Sequence, residues 1–322
     1  MSKIIIAIHG LGNKPSEQTL SNWWQLSIIE GLKNINNFFY LPKFEMVYWA
    51  DILNEKPLNE YITDKKNPYY LDEKYTPSPP NYKPKNHSVR KKILNFIDEQ
   101  MDKVFLNKDL TLNFSFVSDV IFHNYFKELE IYYTKEKSGN KISKQKQIRE
   151  RLVKVLTKYK NEEIFLIAHS MGSIIAYDVL TFELPELKID TFITMGSPLG
   201  LPVIVGKIAQ EYEEKFNIKE KPKTPPGIKN NWFNFSDLED SVAINYELAK
   251  DYNPNRNGVK VKDILVSNNY EINGESNPHK SFGYLRTKEF SQVINTFVTK
   301  NKFKTELLLR KIFFKYFNKI NL

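Results

Sequence analysis

The 322-residue sequence predicts an α/β fold, a mostly parallel sheet with helices on both faces. Two observations predict it. Short apolar runs of strand length, such as Ile4–Ile8 and Ile164–Ala168, recur along the chain, and segments with helical spacing of apolar residues separate them. A strand that is apolar throughout is buried on both faces, and strands alternating with helices build parallel sheets.

The elements follow in order. Ile4–Ile8 is a β-branched strand ending before His9-Gly10. Residues 17–32 place Leu20, Trp23, Trp24, Ile28 and Leu32 at helical spacing, and residues 44–49 form a second strand. Residues 54–145 break the alternation. They hold Pro57, Pro68, Pro77, Pro79, Pro80 and Pro84, then helix-like stretches at 89–105 and 117–133. This region is expected to be an insertion opened by a proline-rich loop. A lysine-rich, solvated helix at 148–158 leads back to the alternating pattern. Strands are then expected at 164–168, 191–195, 232–235 and 262–267, with helices at 172–181, 202–216 and 281–298. The expected organisation is a core at 1–53 and 146–300, an insertion at 54–145, and a basic amphipathic C-terminal helix at 301–322.

Composition narrows the function. Hydrophobic residues at 41% and charged residues at 26% allow a packed core and argue against wholesale disorder. The absence of cysteine excludes disulfides, thiolate zinc sites and a cysteine nucleophile. The N-terminal apolar run is too short to span a membrane, so a cytoplasmic protein is expected. A net charge of +9 would draw the chain to polyanions, although lysine-rich genome composition explains it equally well. No nucleic-acid-binding motif accompanies the charge, and no specific nucleic-acid partner is expected.

The chemistry concentrates at Ala168-His169-Ser170-Met171-Gly172. A hydroxyl is a weak nucleophile and must be presented to a base. A sharp turn between a buried strand and a helix does this, provided that the residues two before and two after the serine are small. Ala168 and Gly172 meet that demand. The helix that follows aims its N-terminal amides at the reacting centre.

With this strand–turn–helix and the early His9-Gly10, the sequence resembles the α/β-hydrolase superfamily, in particular its intracellular lipase- or esterase-like members. Ala168 stands where the superfamily's G-x-S-x-G motif has its first glycine. The resemblance covers most of the chain outside 54–145, which would correspond to a cap or lid. It implies Ser170 as nucleophile and the amides of Leu11 and Met171 as oxyanion donors. It also implies the order Ser, acid, His. Of the five histidines only His279 follows Ser170, so His279 is the expected base. The acid is expected just after the strand at 232–235. Asp240 resembles the family position, Asp237 is the alternative, and Glu239 lies between them.

The expected activity is hydrolysis of a carboxylic ester, with a small-molecule or lipid substrate and neither metal nor organic cofactor. The same triad would serve a peptidase, thioesterase or acyltransferase, and a non-catalytic, membrane-associated binding protein on this fold is the alternative from another class. Phe114, Phe116, Phe122, Tyr125 and Phe126 of the insertion would either line a lipid site or form the cap's own core. In residues 300–322, Lys300, Lys302, Lys304, Arg310, Lys311, Lys315 and Lys319 stand against Glu306 alone. On a helix, Leu309, Ile312, Phe313, Tyr316, Phe317 and Ile320 would share one side. Such a helix would lie on an anionic membrane, making the protein peripheral, or would dock on the core or on a second subunit. Met195-Gly196-Ser197-Pro198 is expected to shape the pocket wall, and Asp51 to cap a helix.

Overall fold

A computed structural model describes residues 1–37, 40–79, 82, 129–133, 142–243 and 245–300. Six parallel strands form the central sheet: β1 (Lys3–Ile8), β2 (Lys43–Val47), β3 (Glu163–His169), β4 (Ile189–Met195), β5 (Ile228–Ser236) and β6 (Val261–Leu265). Their spatial order is β2-β1-β3-β4-β5-β6. A short antiparallel hairpin, β7 (Glu271–Ile272) with β8 (Glu275–Ser276), lies apart; its two-residue strands are too short for the sequence pattern to reveal.

The continuous apolar runs serve two cores at once. Ile4, Ile6 and Ile8 of β1 face one, whereas Ile5 and Ala7 face the other. This is the period-two geometry of a strand with no solvent side. Packed on the first face are α3 (Lys144–Lys158), α4 (Met171–Asp178) and α5 (Pro202–Phe216). On the second are α1 (Glu17–Asn34), α6 (Ser281–Leu285) and α7 (Lys288–Thr299). A one-turn helix, α2 (Ala50–Leu53), follows β2.

The order also locates the site. From β1 the chain runs outward to β2, then returns past β1 to β3 and continues the other way. The strand order therefore reverses at the β1/β3 pair. In open parallel sheets, the crevice beyond the strand ends at such a reversal is where ligands bind. The loop at residues 9–14 and the turn at Ser170 leave the sheet there.

Several expectations change. The helix at 148–158 is not wholly solvated: Ile148, Arg149, Leu152 and Leu156 are buried. Arg149 is held by Asp178 at 2.7 Å, by Glu211 at 2.8 and 2.9 Å, and by the Tyr132 hydroxyl at 3.0 Å. The charge along this helix predicts exposure, but its burial depends on partners distant in sequence. Residues 129–133 are helical, and Tyr132 donates to Asp178 at 2.7 Å, tying the end of the insertion to α4. The helix expected at 281–298 is two helices. Thr287 caps the second through the amide of Phe290 at 3.4 Å, and Arg286 turns inward to Asn269, Glu30 and Thr76. The helix expected at 172–181 ends in a π-helical turn at Val179–Glu183. Asp51 lies in the first turn of α2 and pairs with Arg151 at 2.7 Å; no side-chain cap bond closes that helix.

The start of the expected insertion lies on the core. The amide of Leu58 donates to Lys14 at 2.8 Å, Tyr270 to the carbonyl of Lys74 at 2.7 Å, Thr76 to that of Glu271 at 2.9 Å, and the amide of Ser78 to Glu30 at 2.7 Å. The helix expected at 89–105, most of that at 117–133, the aromatic residues 114–126 and the C-terminal helix at 301–322 lie outside the described residues.

Candidate active site

The turn at Ser170 follows from β3 pairing on both sides. β3 is fixed by β1 and β4 up to His169, and the amide of Ser170 donates to Met195 at the end of β4, at 2.9 Å. The chain must then reverse into α4 within one residue. Ser170 does so at φ 54° and ψ −129°, a conformation that costs a non-glycine residue about 1–3 kcal/mol. The reversal brings α4 hard against β1. A side chain at Gly172 would place its Cβ 2.7 Å from the carbonyl oxygens of Ile8 and His9, which are backbone and cannot step aside. This is the physical reason for a small residue two positions after the serine.

Three side chains from distant segments then join. The Ser170 hydroxyl lies 3.0 Å from His279 Nε2. His279 Nδ1 lies 2.9 Å from each carboxylate oxygen of Asp240. An ionised carboxylate can only accept, so Nδ1 carries the hydrogen and Nε2 is left to accept from Ser170. Asp240 and Ser170 are buried, whereas about a quarter of the His279 side chain is exposed to the cleft.

The two candidate acids separate here. Asp240 sits in the turn after β5, accepting also from the amide of Val242 at 2.9 Å and from the Tyr284 hydroxyl at 2.7 Å. Asp237 accepts from backbone amides, that of Glu239 at 2.7 Å and that of Asn268 at 2.6 Å. Tyr284 links the two, because its oxygen also accepts from the amide of Asp237 at 2.9 Å. Burial, followed by the nearby charges of Asp240 and Asp237, pushes the Tyr284 phenol far above its ordinary range, so it remains a donor.

The loop after β1 is held by His9, which is buried. The amide of Trp49 donates to His9 Nε2 at 3.1 Å, and the Trp49 indole N–H to the carbonyl of His9 at 3.0 Å. With Nε2 accepting, Nδ1–H donates to the carbonyl of Gly10 at 2.8 Å. Burial first, then the charge of Lys14, pushes His9 down to about 3, which keeps this neutral tautomer. The peptide after Gly10 is trans, so fixing its carbonyl turns the amide of Leu11 the opposite way. Gly10 itself packs on Ser170, since a Cβ there would stand 2.6 Å from that of Ser170. Met171 opens α4, where the first-turn amides have no partner within the helix.

Several contributors escape the sequence pattern. His169 donates through Nε2–H to the carbonyl of His279 at 2.7 Å; burial, then the proximity of His279, holds it well below the usual imidazole range, hence neutral. Gly196 has φ +52°, and a Cβ there would lie 2.7 Å from Asp240 Oδ2 and 3.1 Å from His279 Nδ1. The Met195-Gly196-Ser197-Pro198 turn thus borders the Asp240–His279 pair directly. Its Gly-Ser-Pro composition was the available signal, but the contact is with residues more than 40 positions away.

A cleft of about 400 Å³ opens over Ser170 and His279. Leu20, Trp23, Leu58, Leu71, Val242 and Phe282 give it apolar walls, while Lys14, Asp72, Glu73 and Lys280 add charge. Among the described residues, no group of three or more His, Asp or Glu side chains is arranged to hold a metal ion, and no helix is long and apolar enough to cross a membrane.

A family model described as a PGAP1-like alpha/beta domain matches residues 94–245. The match takes in Ser170 and Asp240 and stops short of Leu11 and His279. No curated protein matches the chain.

Proposed function

We propose that this chain, an α/β-hydrolase by its fold and family match, is a serine hydrolase that cleaves a carboxylic ester through an acyl-enzyme. The observation that carries the reading is the unbroken hydrogen-bonded series from Ser170 through His279 to Asp240.

In this reading, a substrate ester enters the cleft with its carbonyl carbon at Ser170 Oγ. His279 Nε2 takes the hydroxyl proton as Oγ attacks, and the imidazolium is stabilised by Asp240. Negative charge gathers on the carbonyl oxygen, where the amides of Leu11 and Met171 would meet it. His279 then returns the proton to the departing alkoxide, leaving the acyl group on Ser170. Water, activated by the same imidazole, attacks the acyl carbon. The intermediate collapses, the acid leaves, and Ser170 regains its proton. Every group is used twice, and no further reagent enters.

The apolar walls of the cleft favour an acyl or alkyl chain of moderate size over a peptide backbone, which would require a row of exposed hydrogen-bonding partners. A lipid ester is one such substrate. The test is covalent labelling by a fluorophosphonate, followed by turnover of p-nitrophenyl esters of increasing acyl length. Labelling that Ser170→Ala abolishes is the expected result. An unlabelled wild-type protein, or undiminished labelling in the variant, would overturn the proposal.

A further inference from the structure

We propose that Glu73 is a positioning residue for the base-bearing loop: a strap from the segment after α2 that grips the residues on either side of His279 and balances the charge beside it. The proposal rests on the serine-hydrolase reading given above.

Glu73 accepts from the Asn277 side-chain amide on one oxygen and from Lys280 Nζ, at 2.6 Å, on the other. Asn277 in turn accepts the His279 amide through its own Oδ1 at 2.9 Å. One carboxylate therefore spans the loop from two residues before the base to one residue after it. On the other side the loop is held by His169 at the His279 carbonyl and by Asn268 at the carbonyls of Pro278 and Lys280, both at 2.8 Å. Glu73, which lines the cleft, adds its grip to these bonds. It lies more than 200 residues away in sequence, so the grip is not part of a local turn. The strap is itself anchored: Leu71 is buried, and Tyr270 and Arg286 donate to the carbonyls of Lys74 and Thr76 at 2.7 and 2.5 Å.

The charge follows from the same geometry. The titratable groups about His279 are Asp240 from the turn after β5, His169 from β3, His9 and Lys14 from the loop after β1, Lys280 from its own loop, and Asp72 and Glu73 from the strap; Tyr284 of α6 touches Asp240. His169 is neutral. Burial opposes the charge on Glu73, but Lys280 and Asn277 outweigh it and hold the carboxyl below its ordinary range. Glu73 is thus an anion set against Lys280. Without it, Lys14 and Lys280 would stand against Asp72 alone among the acidic residues lining the cleft as the imidazolium forms during each turnover.

The experiment is an NMR titration of His279, assigned with His279→Gln, in wild type, Glu73→Gln, Lys280→Met and the double variant, alongside fluorophosphonate labelling rates. The His279 imidazole resonance is expected to move in opposite directions along the pH titration in Glu73→Gln and in Lys280→Met. The double variant should return close to wild type. Labelling should slow roughly three- to tenfold in Glu73→Gln and further in Glu73→Ala, because a loosened base leaves the near-attack geometry. Melting temperatures verify that each variant is folded. Shifts of the same sign in both single variants, or an unchanged titration and labelling rate in folded Glu73→Gln, would overturn the strap. A protein that shows the titration pattern but is never labelled would sink the hydrolase reading and leave the strap standing.

Discussion

Replacing Asp240 by asparagine exchanges one carboxylate oxygen for an NH₂ group and tests which carboxylate serves the base. Asp240 Oδ1 accepts from the amide of Val242, which cannot become an acceptor. The new side-chain NH₂ is therefore excluded from that position and must occupy the other, towards Tyr284 and His279 Nδ1. There it competes with Oδ1, which also lies 2.9 Å from Nδ1, and by donating to Nδ1 it favours the tautomer with the hydrogen on Nε2. The imidazole then presents a donor to Ser170 and cannot take its proton. Loss of the correct tautomer, together with loss of the imidazolium's counter-charge, costs about 10⁴ in turnover where it has been measured in a triad, or about 5.5 kcal/mol of barrier. Asp237→Asn should behave differently. Its carboxylate satisfies the amides of Glu239 and Asn268, so the expected loss is about 1–3 kcal/mol of stability, with turnover within roughly tenfold of wild type. The assay is kcat/KM on a p-nitrophenyl ester at neutral pH, with thermal melts of both variants. Equal losses in two folded variants, or the larger loss in Asp237→Asn, would refute the reasoning.

Other outcomes follow from the same geometry. Gly196→Ala should slow Ser170 labelling at least about 100-fold, because its Cβ would stand 2.7 Å from Asp240 Oδ2 at a φ of +52°; unchanged labelling would contradict the packing described. Glu30 accepts from the amide of Ser78, from Tyr75 and from Arg286, and despite burial these hold its carboxyl below the ordinary value of 4.5. A depressed folded-state pKa contributes stability above the unfolded value, and that stability is lost as pH falls through the folded one. The gap between melting temperatures at pH 7 and pH 3.5 should therefore narrow by about 2 °C in Glu30→Gln, and an identical gap would rule out this linkage. Lys300 bonds Glu163 and Asp190 at the starts of β3 and β4, the opposite sheet edge from Ser170. Removing residues 301–322 should accordingly leave turnover of a soluble ester within about twofold while reducing co-sedimentation with anionic vesicles. Lost turnover, or undiminished sedimentation, would count against that division.

Much of the fold was legible because burial on both faces leaves a local mark. A strand such as Ile4–Ile8 or Ile164–Ala168 has no polar position to give up, and the helix periods between them are equally local. Ser170 was legible for a related reason. The strand, the small residues and the helix that constrain it are contiguous, and His279 stood alone among histidines after it. Boundaries were less legible wherever a distant partner decides them. Arg286 breaks the last helix by turning to Glu30 and Asn269, and Arg149 is drawn into the core by Asp178 and Glu211.

The chain by itself determined a parallel α/β sheet, a serine on its sharpest turn, and two candidate acids three residues apart. Choosing between those acids was beyond any local pattern. Asp237 and Asp240 share one turn, and each accepts from a backbone amide two residues on; what differs is the distant partner, the amide of Asn268 for Asp237 and the imidazole of His279 with the hydroxyl of Tyr284 for Asp240. Tertiary structure decided which of them meets His279, along with the neutral state of His9 and the place of Glu73 beside the His279 loop. The physical reason is common to all three. Hydrogen-bond partners and charges act through space over a few ångströms, whereas the sequence records only neighbours along the chain.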